Sequence, residues 1–279
     1  MRAKTALLAS ALVSILLSLP HDVAYGQASH TSTLGGRFAS DVSHAAKGTL
    51  RTLASPFRWQ GKEWAKFGVV IAGAAALFLV DEEVNDFFLR NQSDAADKIA
   101  DFGLWYGEPL TIVMITGAFY SVGLIGDIDL LRENGVVLTA SLLATGAYQT
   151  VTKKAVGRAR PHVGLGATEF DPFNNTQPYY SFFSGHTMGA MSLSHVFARR
   201  TGSLPIKIVL YGAGSITGLA RMYNADHWLS DVVLGGVVGI VAVNSNAKWL
   251  AHKKSAGEYA GLQWRLLPSQ QGLSLRFEW

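Results

Sequence analysis

Residues 220–243 read ARMYNADHWLSDVVLGGVVGIVAV. An arginine, a histidine and an aspartate (Arg221, His227, Asp231) stand six and four residues apart, directly before the uncharged run Val232 to Val243. Desolvating a charged side chain costs several kcal/mol unless it is paired or put to use. The junction therefore asks what these charges do at the mouth of an apolar helix. At a spacing of four, His227 and Asp231 lie on one helical face, so the carboxylate can hold one imidazole nitrogen and leave the other free to attack or bind.

Outward from this junction the chain repeats the same texture. Apolar segments of helical length run Phe67–Val80, Pro109–Gly126, Gly135–Thr152, Phe183–Ala198, Leu204–Ala220 and Trp228–Ala247. None alternates over a long stretch, and several are rich in Gly and Ala, which suits close helix packing in a bilayer. Pro109–Gly126 carries no charge and is about as short as a membrane span can be. Phe67–Val80 is shorter, and Lys207 and Asp231 interrupt their segments. The whole chain is 49% apolar and 16% charged, against about a quarter charged in ordinary soluble proteins. The expected fold is all-α: a membrane-embedded bundle of about five to six helices, with a soluble bundle around a large core as the alternative. The net charge of +4 is too small to argue for nucleic acid. The absence of cysteine excludes disulfides, thiolate metal sites and a cysteine nucleophile.

Residues 1–26 have the make-up of an export signal. Arg2 and Lys4 precede the apolar run Ala6 to Leu19, and Ala24-Tyr25-Gly26 offers a small-x-small cleavage site. An uncleaved anchor is the alternative. Residues 27–60 read as a linker holding at most a short surface helix, and 61–254 as the main domain. The tail 255–279 alternates at Leu273, Leu275, Phe277 and Trp279 after a Pro-Ser-Gln-Gln-Gly turn, which points to a small β-hairpin. Positive charge at 51–66, 199–207 and 248–254 predicts cytoplasmic positions for those segments, with the acidic loop Asp81–Glu108 and residues 153–183 outside. A cleaved signal gives Gln27 the opposite parity, a conflict that the sequence leaves open.

Two more stretches concentrate polar groups at helix ends. In KKAVGRARP, Lys153 and Arg160 are seven residues apart, two turns along one face, and Pro161 ends the helix. Alone, this reads as the basic flank of a membrane segment. In FFSGHT, Ser184 can cap a helix, Gly185 lets a ligand approach the backbone, and the free N–H groups of the helix start favour an anion. Taken together, these long cations, the helix start and the histidines His186 and His227 would make a pocket for a phosphate-like dianion.

Lys153-x6-Arg160-Pro161, Ser184-Gly185-His186 and Arg221-x5-His227-x3-Asp231 together resemble the three-part signature of the type 2 phosphatidic acid phosphatase (PAP2) and haloperoxidase superfamily. The resemblance covers roughly Phe67 to Ala247. It departs from the usual pattern at Phe183, where the family has proline, and at Ala220, where it has serine; the second departure is expected to remove a hydroxyl from the phosphate pocket. The resemblance implies a metal-free, cofactor-free hydrolysis of a phosphorylated lipid in two steps. His227, held by Asp231, would be the nucleophile and His186 the acid and then the base. Lys153, Arg160, Arg221, Ser184 and the backbone N–H of Gly185 would bind the phosphoryl oxygens. It also implies an inner-membrane enzyme with its site facing the periplasm, with a soluble periplasmic acid phosphatase as the alternative. A silent binder of phospholipid headgroups, a haloperoxidase and a zinc site at His186, His227 and Asp231 are weaker alternatives.

The other polar residues read as supporting cast. Lys154 and Arg158 flank the motif and read as support behind the site residues or as charges at the membrane interface, Asp226 reads as a solvated loop carboxylate, His195 as structural, and His162 as a loop residue without a nameable partner. The aromatics Phe170, Phe173, Tyr179 and Tyr180 suit a lip at a lipid–water boundary or a loop packed on itself.

Overall fold

The structure is a computed structural model that describes residues 33–256, 263–269 and 272–278; the expected signal segment lies outside the described residues. Its helices are α1 (Leu34–Leu53), α2 (Gly61–Phe78), α3 (Asp81–Arg90), α4 (Asp94–Gly107), α5 (Pro109–Ile125), α6 (Asp129–Val156), α7 (Gly185–Ala198), α8 (Leu204–Tyr223) and α9 (Leu229–Ser255). A hairpin of β1 (Gln263–Ser269) and β2 (Gly272–Glu278) follows, antiparallel with Gln263 opposite Glu278.

The six apolar segments become α2 and α5 to α9. The all-α class holds, with three more helices among the described residues than the apolar pattern predicts. Residues 34–53, read as linker, form α1, which Thr33 caps by accepting from Gly36 N. This helix escapes an apolar pattern search because its buried face is small or polar: Gly36, Ser40, Asp41, His44, Gly48 and Thr52. Those side chains meet polar partners on other helices. Tyr120 Oη donates to Asp41 at 2.9 Å, and Asn246 Nδ2 donates to Thr52 at 3.0 Å. The acidic stretch 81–108 is likewise two helices rather than a loop. Asp81, Glu82 and Glu83 occupy the first turn of α3, where the helix dipole favours negative charge, and Ser93 caps α4.

Helix α7 runs through the middle of the bundle, and nearly every residue from Thr187 to Ala198 is buried. Its Leu193, Val196 and Phe197 join Val136, Val137 and Leu138 of α6, Phe119 of α5, and Val243 and Ala247 of α9 in the main core. Helices α7 and α9 touch backbone to backbone. A Cβ on Gly239 would stand 2.5 Å from Met188 O, and one on Gly235 would collide with Ser184 O. Only glycine permits that approach, and it sets the start of α7 against the start of α9.

Charged groups gather at the two ends of the bundle. At the end remote from the three motifs, Arg132 pairs with Asp41 at 3.1 Å, Arg200 with Glu133 at 2.7 Å, and Lys254 with Glu133 at 2.6 Å. Along α9, Asp231 and Lys254 are separated by roughly 35 Å at 1.5 Å per residue. Between the ends the outer surface is apolar. Val69, Leu110, Val113, Ile125, Leu143, Ile208, Val209 and Val241 are all exposed. Among the described residues α9 is long and apolar enough to cross a membrane, as are α4 and α5 taken together across their 56° bend.

Candidate active site

The C-terminus of α6 decides which cations point where. Gly157 ends the helix in the left-handed conformation (φ 58°), its N–H donating to Lys153 O at 3.0 Å. A side chain there would strike Asp171 O, so glycine is required twice over. The turn leaves Lys154 exposed, keeps Lys153 half-buried, and sends Arg158 into the interior.

Arg158 is fully buried and is the hub of the site's support. Its Nη1 donates to Asp231 Oδ1 and to Ser230 Oγ, both at 2.8 Å. Its Nη2 donates to Asp81 Oδ2 at 2.7 Å, and Nε and Nη2 both reach Ala167 O. The guanidinium lies 3.9 Å from the centre of the Phe78 ring. Arginine suits this role because one planar fork can satisfy two carboxylates and a carbonyl at once. Asp81, also fully buried, accepts from Ser230 N and Ser230 Oγ as well. Of the two roles expected of Arg158, support behind the motif or a charge at the membrane interface, the structure shows the first: it is the counter-ion of the motif aspartate.

Asp231 Oδ2 accepts from Ser181 Oγ at 2.5 Å and from Trp228 N at 3.1 Å. His227 Nδ1 stands 3.9 Å from that same oxygen, longer than a hydrogen bond, and has no partner among the described residues. The expected His227–Asp231 pair thus exists as proximity on one helical face, with the aspartate held rigidly and the imidazole not yet engaged. Catalytic hydrogen bonds are often long before a substrate binds.

Ser184 caps α7, as expected, but its hydroxyl is occupied. It lies 2.9 Å from Thr187 Oγ1 and 3.5 Å from Thr187 N, and the residue is fully buried. Its hydroxyl is used to start the helix. Gly185 approaches Gln149 so closely that any side chain would collide with the Gln149 amide, which donates to Phe183 O at 3.2 Å. His186 follows, with Nε2 3.7 Å from Glu108 Oε2 at the bend between α4 and α5. Phe183 is buried against Met188 and Leu234, so the side chain that replaces the family's proline anchors the segment in apolar packing.

Arg160 and Arg221 meet at Asp226. Arg160 Nη1 is 3.2 Å from Asp226 Oδ1, and Arg221 Nη2 is 2.9 Å from Oδ2. The Nε of each arginine is buried without a partner among the described residues. Lys153 lies close enough for its charge to act on both histidines. His186 is pushed down to about 4, first by burial and then by Arg221, Lys153 and Arg160. His227 is held well below the ordinary imidazole value, first by burial and then by Lys153, Arg221, Arg160 and His186. Both imidazoles are therefore neutral at pH 7.

Of the residues expected to form the site, Lys153, Arg160, His186, Arg221, His227 and Asp231 converge at one end of the bundle, with Gly185 at the helix start beside them. Ala220 does not face this group. It packs on Ala100 and Tyr223, against the backbone of α4, so a serine there would not supply a hydroxyl to the pocket. Sequence reasoning missed Asp81, Ser181, Glu108 and the pairing role of Asp226. His162 also has partners, with Nδ1 3.1 Å from Ala225 O and 4.0 Å from Asp226. His195 bridges Tyr211 Oη and Asn244 Oδ1 inside the bundle, a structural role.

Several known proteins are similar to this chain. Residues 134–254 match the model of the PAP2 superfamily. A lipid A 1-phosphatase of Rhizobium etli is 27% identical over 201 residues, 66% of this chain and 82% of that protein. A lipid A 1-phosphatase of Porphyromonas gingivalis is 29% identical over 140 residues, half of this chain. The chain spans about a quarter (27%) of that relative's length. Among solved structures, Aquifex aeolicus LpxE superposes with a TM-score of 0.50 at 17% identity, covering 61% of this chain and 95% of that one. A transmembrane PAP2-type phosphatidylglycerolphosphate phosphatase of Bacillus subtilis gives a TM-score of 0.48 at 17% identity, covering 77% and 96%.

Proposed function

We propose that the chain is a membrane-embedded phosphatase of phosphorylated lipids that works through a phosphohistidine. The observation that carries this reading is the set of unspent groups at one end of the bundle. The Nε donors of Arg160 and Arg221 are buried and unpartnered among the described residues, next to Lys153 and the start of α7. Such donors fit a tetrahedral dianion that bridges them. In the reaction, the His227 nitrogen turned away from Asp231 attacks phosphorus in line. The P–O bond to the lipid breaks, and the leaving oxygen takes a proton from His186, whose low proton affinity the arriving dianion raises. A water then gives its proton to His186 and its oxygen to phosphorus, releasing phosphate and freeing His227. Lys153, Arg160 and Arg221 stabilise the spreading charge in both steps.

The exposed apolar belt between two charged ends about one bilayer apart supports a membrane setting. The basic residues Arg199, Arg200, Lys253 and Lys254 lie at the end remote from the site, which supports a site facing away from the cytoplasm, on the periplasmic side of an inner membrane. The substrate class is a lipid phosphate monoester or diphosphate, of the phosphatidate, phosphatidylglycerol phosphate or isoprenyl diphosphate type; the relatives' names add lipid A 1-phosphate to that panel. The test is phosphate release from each of these in mixed micelles. The expected result is turnover by the native chain, none by His227→Ala, and an acid-labile, base-stable phosphoenzyme lost with the same variant. Activity retained by His227→Ala overturns the reading. Release of the protein from membranes without detergent would favour a soluble exported phosphatase instead.

A further inference from the structure

We propose that Asp226 is a built-in counter-anion: it holds Arg160 and Arg221 as a pre-formed clamp, and its charge limits how tightly the pocket retains phosphate. The inference rests on the phosphatase reading and adds a positioning residue that the three motifs do not contain.

The geometry is specific. Helix α8 ends one residue before Asn224, and the chain then turns through Ala225, whose φ of 53° is a left-handed conformation that costs an alanine about 1 kcal/mol. The turn is closed by Asp226 N donating to Arg221 O at 3.0 Å and His227 N donating to the same carbonyl at 3.3 Å. It brings Asp226 back over the last turn of its own helix. Each carboxylate oxygen then takes a different arginine, Oδ1 on Arg160 and Oδ2 on Arg221. One arginine comes from the segment after α6 and the other from α8, so the carboxylate ties two separate parts of the site together.

A bridging carboxylate imitates the ligand. It draws one nitrogen from each fork and leaves the buried Nε of each without a partner among the described residues. The forks are thus oriented and partly neutralised before a phosphoryl group arrives, which lowers the entropy of organising them. The same negative charge must repel the phosphate that lies against those forks. An arginine pair without it would hold the inorganic product harder, and product release would slow. The side chain of Asp226 is 22% exposed, so its charge is only partly screened by water.

The experiment compares the detergent-solubilised full chain with Asp226→Asn and Asp226→Glu. Binding of inorganic phosphate and of orthovanadate is read by calorimetry and by the rise in unfolding temperature, neither of which needs turnover. Asp226→Asn keeps a hydrogen-bond acceptor and the side-chain size but removes the charge. The expected result is roughly tenfold tighter phosphate binding, the scale of one partly screened charge a few ångströms away. Alongside it, KM and kcat for the lipid substrate should both fall. Asp226→Glu restores the charge and should return phosphate affinity to within about twofold of the native chain. Unchanged or weaker phosphate binding in Asp226→Asn overturns the proposal, since a carboxylate acting only as a strut would misplace the arginines and loosen the anion. If the native chain binds phosphate with this dependence but releases none from any lipid, the phosphatase reading fails while the counter-anion stands.

Discussion

Arg158→Met is the sharpest test of the support beneath the site. The substitution keeps a long flexible stem of similar reach against Phe78 and removes the guanidinium. Five hydrogen bonds go with it, to Asp81, Asp231, Ser230 and twice to Ala167 O. Two carboxylates that are 0% exposed then lose the cation they share. Breaking a buried pair by removing one partner typically costs about 3–5 kcal/mol, which corresponds to roughly 10 °C in unfolding temperature for a domain of this size. The measurement is thermal unfolding in detergent micelles, followed by a double-mutant cycle with Asp81→Asn. In the native background Asp81→Asn should destabilise, because Arg158 loses a partner. In the Arg158→Met background it should be neutral or stabilising, because it removes an orphaned charge, and the coupling should be about 1–3 kcal/mol. Arg158→Lys should rescue little, since one ammonium cannot span both carboxylates. An Arg158→Met chain within about 1 kcal/mol of the native stability, or a cycle that closes additively, would refute the hub.

Three further outcomes follow from the geometry. Gly235→Ala should push the start of α7 off α9, because the new methyl meets Ser184 O, and should lower stability by about 1–3 kcal/mol and turnover with it, as read by unfolding temperature and phosphate release. Ala220→Ser should leave KM and phosphate affinity unchanged, because that side chain packs against Ala100 and the α4 backbone; a gain in substrate affinity would put it in the pocket after all. The third concerns pH. The folded-state value of His186, about 4, is below its unfolded value, so the folded protein binds fewer protons between roughly pH 4 and 6.5. The sign then follows: stability is fully present above about pH 6.5 and falls as pH drops towards 4, by roughly 2–3 kcal/mol at most for this group. His186→Gln should flatten that slope in unfolding curves taken between pH 7.5 and 4.5.

Much of the site was legible because its chemistry is written in short spacings. Arg221, His227 and Asp231 sit on one turn-and-helix unit, and Ser184-Gly185-His186 is a helix start, so local geometry carries them. Arg158 was legible only as a supporting or interfacial charge, no different from Lys154, because the left-handed turn at Gly157 decides which of them points inward. Asp81 lies in an acidic stretch more than seventy residues away, and nothing along the chain couples it to Arg158. Asp226 looked solvated because its two partners come from different segments. In the fold, the apolar segments announced α2 and α5 to α9, while α1 stayed hidden because it buries small and polar residues. Its face is matched to Asn246, Tyr120 and Arg132 rather than to an apolar core.

The hub at Arg158 also bears on how the protein can be cut. The PAP2 superfamily match begins at residue 134, yet the arginine inside it is neutralised in part by Asp81, which lies outside it. A fragment trimmed to the matched segment would contain all eight expected site residues and still leave Arg158 Nη2 and the N–H and hydroxyl of Ser230 without the carboxylate that holds them. It would also bare the flanks of α6 and α8 that α1, α4 and α5 now cover. Transplanting the motifs into another scaffold therefore means carrying the beginning of α3 with them.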